Sequence, residues 1–172
     1  TLINLVSGLD RPSSGSVTFD GQTSPPRSDW TRLRSRRIGL VFQDFNLIPT
    51  LSAAENVEAA MFIAGDRRKT ALARLEDVGV GYCANRKPPQ MSGGERRRVA
   101  IARGLVNQPE VLLADEPTGN LDSVSGAAVM ELLLSLHARG GMTTVIVTHD
   151  LSLIARCPRR IAMSDGRVVA DE

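Results

Sequence analysis

Apolar residues recur at two spacings along this chain, and the switches between them mark out its elements. Leu2, Ile3, Leu5, Val6 and Leu9 repeat at helical spacing, with Gly8 placed to end that helix. Val17 and Phe19 alternate with polar neighbours, predicting a short strand over Ser16 to Phe19 that leads into the turn pair Asp20-Gly21. Ser24 to Arg36 is Pro-containing and basic and predicts a surface loop with a short helix. Ile38 to Phe42 is a continuous apolar run, as in a strand buried on both faces, and it stops at Gln43-Asp44. Two later runs behave alike: Val111 to Ala114 stops at Asp115-Glu116, and Thr144 to Thr148 stops at His149.

From Ser52 the pattern changes. Ser52-Ala53-Ala54-Glu55 is a capping box, in which Ser and Glu satisfy each other's orphan backbone donors. Residues 52 to about 90 read as helical apart from a break at Gly79-Val80-Gly81. Ser92-Gly93-Gly94-Glu95 is a second box, opening a helix that is predicted to run to about Asn107. Ser123 to Arg139 reads as a helix with Val129, Leu132, Leu133 and Leu136 on one side. Asp150 can cap a further short helix, and Ser164-Asp165-Gly166-Arg167 between two apolar stretches signals a hairpin. Strands alternating with helices predict an α/β fold, a mostly parallel sheet covered on both faces. The expected division is an α/β core over 1–51 and 108–172, with a helical subdomain inserted over 52–107.

Composition narrows the class. The 172 residues suffice for one domain, and 42% hydrophobic with 23% charged residues is ordinary for a globular protein. No apolar stretch approaches the run of about 20 needed to span a bilayer. Thr1-Leu2-Ile3-Asn4 has neither the basic lead-in nor the cleavage site of a secretory signal. A net charge of +2 and few aromatics argue against a nucleic-acid partner. Cys83 and Cys157 lack metal-ligand spacing and are expected to be free thiols in a reducing compartment.

Candidate chemistry gathers at the strand ends. Acids that follow a buried strand lie at the sheet's C-terminal edge, where α/β folds bind ligands. Asp115 can hold Mg²⁺, a hard cation that takes oxygen ligands, and Glu116 can polarise a water attacking phosphorus. Taken alone, the pair also reads as two solvated acids. Gly93 and Gly94 are costly in a first helical turn, because Gly is about 1 kcal/mol worse than Ala in a helix interior. They make sense where something must approach the backbone closely, and a helix N-terminus attracts phosphate; an ordinary glycine-rich cap is the other reading. Gln43 offers an amide oxygen to a metal or a water, and His149 a hydrogen bond to a phosphate. His137 falls on the polar side of its helix and reads as solvated.

Together these segments resemble the ATP-binding domains of ABC transporters. Val41-Phe42-Gln43 resembles the Q-loop, and Met91-Ser92-Gly93-Gly94-Glu95 the family signature, with Met91 where Leu is usual. Val111 to Glu116 resembles Walker B, Asn120-Leu121-Asp122 the D-loop, and Thr148-His149-Asp150 the H-loop. The five motifs stand in the family's order and span essentially the whole chain. Glu116-Pro117-Thr118-Gly119-Asn120-Leu121-Asp122 further resembles the branch of lipoprotein-release, macrolide-export and cell-division ATPases.

The resemblance implies a P-loop NTPase-like fold and two head-to-tail ATPase subunits that sandwich ATP and Mg²⁺. Asp115 and Gln43 would contact the metal, Glu116 would activate water, and His149 would hold the γ-phosphate. Ser92, Gly93, Gly94 and Glu95, with Asp122, would serve nucleotide at the subunit interface, and Thr1, following the phosphate loop, would contact the nucleotide as well. A separate transmembrane permease would be the partner, with the ATPase peripheral on the cytoplasmic face of the membrane. The family's phosphate loop, Gly-x-x-x-x-Gly-Lys-[Ser/Thr], occurs nowhere in the sequence. The chain begins at what resembles the residues after it, so the first strands of the sheet are expected to be missing too. A fragment inactive on its own, with exposed sheet edge and poor solubility, is therefore expected. Two other readings are an ABC-type ATPase of DNA repair or chromosome handling, and a non-catalytic remnant docking on a permease.

Overall fold

The computed structural model describes residues 2–23 and 26–172. Helix α1 (Leu2–Val6) ends at Gly8, whose φ of +66° only glycine adopts easily. A Cβ at Gly8 would stand 2.1 Å from Trp30 Cδ2, so the glycine also seats the indole. Strands β1 (Thr18–Phe19) and β2 (Gln22–Thr23) form a hairpin across Asp20-Gly21, both at positive φ. The strand expected over Ser16 to Phe19 is thus two residues long, and among the described residues it pairs only within that hairpin. Helix α2 (Arg27–Arg36) follows.

The main sheet is parallel: β3 (Ile38–Val41), β4 (Val111–Asp115) and β5 (Thr143–Val147), with β4 in the middle. Its register sets Val41 beside Ala114 and Asp115 beside Val147, so all three strands end on one edge. Alternation assigns the faces. Ile38, Leu40, Val111, Leu113 and Val147 pack with Ile3 and Trp30 on one side. Val41, Leu112, Ala114 and Ile146 pack on the other against helices α5 (Gly93–Leu105) and α6 (Ser123–Ala138). α5 lies close over β3, because a Cβ at Gly39 would stand 2.4 Å from the Gly104 carbonyl oxygen.

One strand departs from expectation. The Val145 to Val147 run predicts a fully buried strand, yet Val145 is 39% exposed and its neighbours are half-buried. β5 has a single strand neighbour among the described residues, so apolar sequence there does not bring burial. The terminal hairpin of β6 (Ile161–Ser164) and β7 (Arg167–Asp171) turns at Asp165-Gly166 as predicted, and it also exposes Ile161, Met163, Val168 and Val169.

Between β3 and β4 the chain is helical in part only. α3 (Ala53–Ala59) and α4 (Arg67–Asp77) pack on each other and on α5. The predicted break at Gly79-Val80-Gly81 is present, but residues 61–66 are irregular, and beyond the break 3₁₀ turns at Gly81–Cys83 and Pro88–Gln90 replace the helix predicted to about residue 90, as the Pro88-Pro89 pair would impose. α5 stops at Leu105, two residues short of the predicted Asn107, and Gln108 takes a left-handed conformation. The last helix, α7 (Leu151–Ile154), is capped by Asp150 as expected. His137 is exposed, and both cysteines are free, Cys83 buried and Cys157 half-buried.

Candidate functional site

The edge where the three parallel strands end gathers Asp115, Glu116, Gln43 and His149. Glu116 follows β4 in a left-handed conformation, φ +44°. A non-glycine residue held there costs energy and is characteristic of functional sites. Its backbone N–H donates to the Val147 carbonyl at 2.8 Å, which fixes the turn against the end of β5. The Glu116 side chain is 17% exposed. Thr148 Oγ1 donates to its Oε2 at 3.3 Å, and its Oε1 lies 2.8 Å from His149 Nδ1. The imidazole is 88% exposed, and the hydrogen bond to Glu116 raises its pKa above the usual histidine range. Asp115 is half-buried, and among the described residues its carboxylate makes no hydrogen bond and no ion pair.

Gln43 opens a loop tied down by α5. Arg97, with no exposed surface, donates from Nη1 to the Phe42 carbonyl at 2.6 Å and from Nη2 to the Gln43 carbonyl at 2.9 Å. The same Nη2 reaches the Gly119 carbonyl, 3.1 Å away, in the turn after Glu116. Arg103 donates to the carbonyls of Phe45 (2.8 Å) and Asn46. The Phe45 ring lies under Arg97 at 4.5 Å and Arg96 at 5.2 Å. The Gln43 side chain meets the Glu116 turn directly, since a Cβ on Gly119 would stand 3.8 Å from Gln43 Nε2.

The glycine-tipped start of α5 adjoins the same turn. The capping box predicted at Ser92 is present: Ser92 Oγ accepts from the Glu95 N–H at 3.2 Å, and Glu95 Oε2 from the Ser92 N–H at 2.6 Å. Glu95 Oε1 accepts from the buried Cys83 thiol at 3.3 Å and from Arg86 Nη1 at 3.5 Å. These contacts, the Ser92 N–H foremost, hold the Glu95 carboxyl down to about 2. Both its oxygens are therefore engaged within the chain. Gly93 and Gly94 also have partners in their own chain: Cβ atoms there would stand 3.2 Å from Leu121 Cδ2 and 3.3 Å from Ser125 Oγ. Asp122 caps α6, accepting from the Ser125 N–H at 2.9 Å. Thr1, named as a nucleotide contact, lies outside the described residues.

A family model described as ABC transporter matches residues 1–119. The chain belongs to the ABC transporter family. It is an ATP-binding cassette, of the family's ATPase kind. It is 44% identical to the lipoprotein-releasing system ATP-binding protein LolD of Syntrophus aciditrophicus, over 98% of this chain and 78% of that protein. It is 49% identical to the macrolide export ATP-binding/permease protein MacB of Burkholderia pseudomallei, over 99% of this chain but 27% of that longer protein. Its structure superposes on the cassette MJ0796, solved as a dimer in a post-hydrolysis state bound to ADP and Pi. There the TM-score is 0.89 at 41% identity, covering 99% of this chain and 78% of that one. These similarities agree with the lipoprotein-release and macrolide-export branch. Among the described residues, no helix of the cassette is long and apolar enough to cross a membrane.

Arg97 and Arg103 were not singled out from the sequence. The available signal was periodicity: Arg97, Ile101 and Leu105 stand four apart on the buried side of α5, so a charge occupies a position where the pattern calls for an apolar residue.

Proposed function

We propose that the cassette hydrolyses ATP at the edge formed by Asp115, Glu116, Gln43 and His149, and that this energises a separate transmembrane permease. The observation that carries the reading is the convergence of these four groups from three strand ends, with Asp115 left unpartnered. In this reading Glu116 accepts a proton from the water that attacks the γ-phosphorus, ADP departs, and His149, held beside Glu116, hydrogen-bonds the γ-phosphate. The Gln43 amide orients water or metal. Mg²⁺ fits the donor set. The described residues hold no group of three or more His, Cys, Asp or Glu side chains that could form a metal site. One free carboxylate and an amide oxygen, completed by phosphate oxygens and waters, is a usual Mg²⁺ environment. Bound there, the metal would neutralise charge on the phosphates.

The proposed dimer is head to tail, with Ser92, Gly93 and Gly94 facing nucleotide held mainly by the other subunit, and Glu95 and Asp122 shaping that surface as caps. The division into a core over 1–51 and 108–172 and a helical subdomain over 52–107 belongs to the same proposal. So do a place at the cytoplasmic face of the membrane and a role in export or lipoprotein release. The named relatives are transporter components, which weighs against chromosome handling. We also infer that residues 1–172 on their own bind ATP weakly, since they contain no Gly-x-x-x-x-Gly-Lys-[Ser/Thr]. Losing about four charge-assisted contacts of roughly 1.5–3 kcal/mol each removes at least about four decades of affinity. The test compares ATP affinity and phosphate release for the 172-residue chain and the full-length protein. Clear Glu116-dependent turnover by the 172 residues alone would refute the inference.

A further inference from the structure

We propose that Arg97 is a positioning residue that clasps the Gln43 loop to the Glu116–Gly119 turn and so keeps the metal-facing amide in register with the base. The proposal rests on the ATPase reading of the edge. Three carbonyls accept from this one guanidinium: Phe42 and Gln43 from the loop after β3, and Gly119 from the turn after β4. The two segments lie more than 70 residues apart, and Arg97 reaches them from a third element, α5. Among the described residues no carboxylate forms an ion pair with it, and burial lowers its pKa against the opposing pull of the Asp44 charge. A buried cation held by three carbonyls and the Phe45 ring, with no ion-pair partner, is a costly way to fill space, and a well-packed apolar side chain would do that better. What the guanidinium supplies is a planar fork whose N–H groups reach both loops at once. Arg103 does not duplicate it, since its partners Phe45 and Asn46 lie on one loop only.

The clasp acts on geometry, so its loss should fall on the chemical step. In the full-length protein, Arg97→Met removes every donor and should lower kcat by about 10- to 100-fold while KM for ATP changes less than about 3-fold. Arg97→Gln keeps an amide that can bridge one carbonyl from each loop without burying a charge, and it should hold kcat within about 3-fold of the parent. Hydrogen exchange reads the clasp without turnover: Arg97→Met should speed exchange at amides in 42–46 and 118–121 together, leaving β6–β7 unchanged. Should Arg97→Met fail to fold, Arg97→Lys keeps the charge but not the fork, and about a 10-fold loss in kcat is expected. Parental kcat in the Met variant, or in the Lys variant where it stands in, overturns the proposal. So does an equal fall in Met and Gln, or faster exchange in only one loop. The ATPase reading fails separately: if Glu116→Gln leaves turnover unchanged, that reading is lost, whatever the exchange data show.

Discussion

Two helices of this cassette begin with the same device and put it to different use. Ser52-Ala53-Ala54-Glu55 starts α3 and Ser92-Gly93-Gly94-Glu95 starts α5, and both form complete reciprocal capping boxes. At the first, Ala53 and Ala54 are fully buried in the core. At the second, Gly93 and Gly94 are half-buried and abut Leu121 and Ser125, with Ser92 exposed. The caps are equivalent, so the pair between them carries the distinction. Alanine anchors a helix in a core, whereas glycine lets a helix end lie close against the Leu121 and Ser125 side chains. The D-loop of the same chain already requires part of that close approach, before any second subunit is considered.

The largest effect should come from the edge that the second helix adjoins. Glu116→Gln should lower turnover of the full-length protein by about 10²- to 10⁴-fold with little change in ATP affinity, measured by phosphate release and nucleotide binding. Gly93→Ala and Gly94→Ala should lower turnover by about 10-fold, because each methyl displaces Leu121 or Ser125, although α5 gains up to about 1 kcal/mol of helix propensity. Ala53→Gly and Ala54→Gly should do the reverse, costing about 1–2 kcal/mol each in denaturant melts and sparing turnover per folded molecule. If both pairs of variants behave alike, the contrast between the two boxes is lost. Ser52→Ala and Ser92→Ala should each cost about 1 kcal/mol, and only the second should also change turnover.

The smallest effect concerns pH. Glu95 titrates near 2 in the folded chain against an ordinary value of 4.5. A depressed carboxyl contributes stability that is fully present above the unfolded value and lost as pH falls from 4.5 through 2. Glu95→Gln should flatten the pH dependence of unfolding across that window. Glu55 is lowered in the same direction by the Ser52 N–H, so Glu55→Gln should act with the same sign.

Much of this architecture was legible in the sequence because it is local. Both boxes, both Asp-Gly hairpin turns and the three strand ends follow from neighbouring residues. What escaped depends on contacts distant in sequence. The Glu116–His149 pair joins residues on different strands, Arg97 joins α5 to two loops, and Cys83 finds Glu95 through packing of a 3₁₀ turn on α5. β5 misled for another reason: its residues have the hydrophobicity of a central strand, but among the described residues only one side of it is paired. Spacing registers apolarity and cannot register which neighbours are present.

The most direct test of the account follows phosphate release by the full-length protein at saturating MgATP, with Glu116, and His149 in parallel, replaced by Gln and Ala. The account predicts steady turnover in the parent and a loss of at least about 100-fold in each variant, with ATP still bound. Parental rates in both variants would mean that the strand ends converge for some purpose other than hydrolysis.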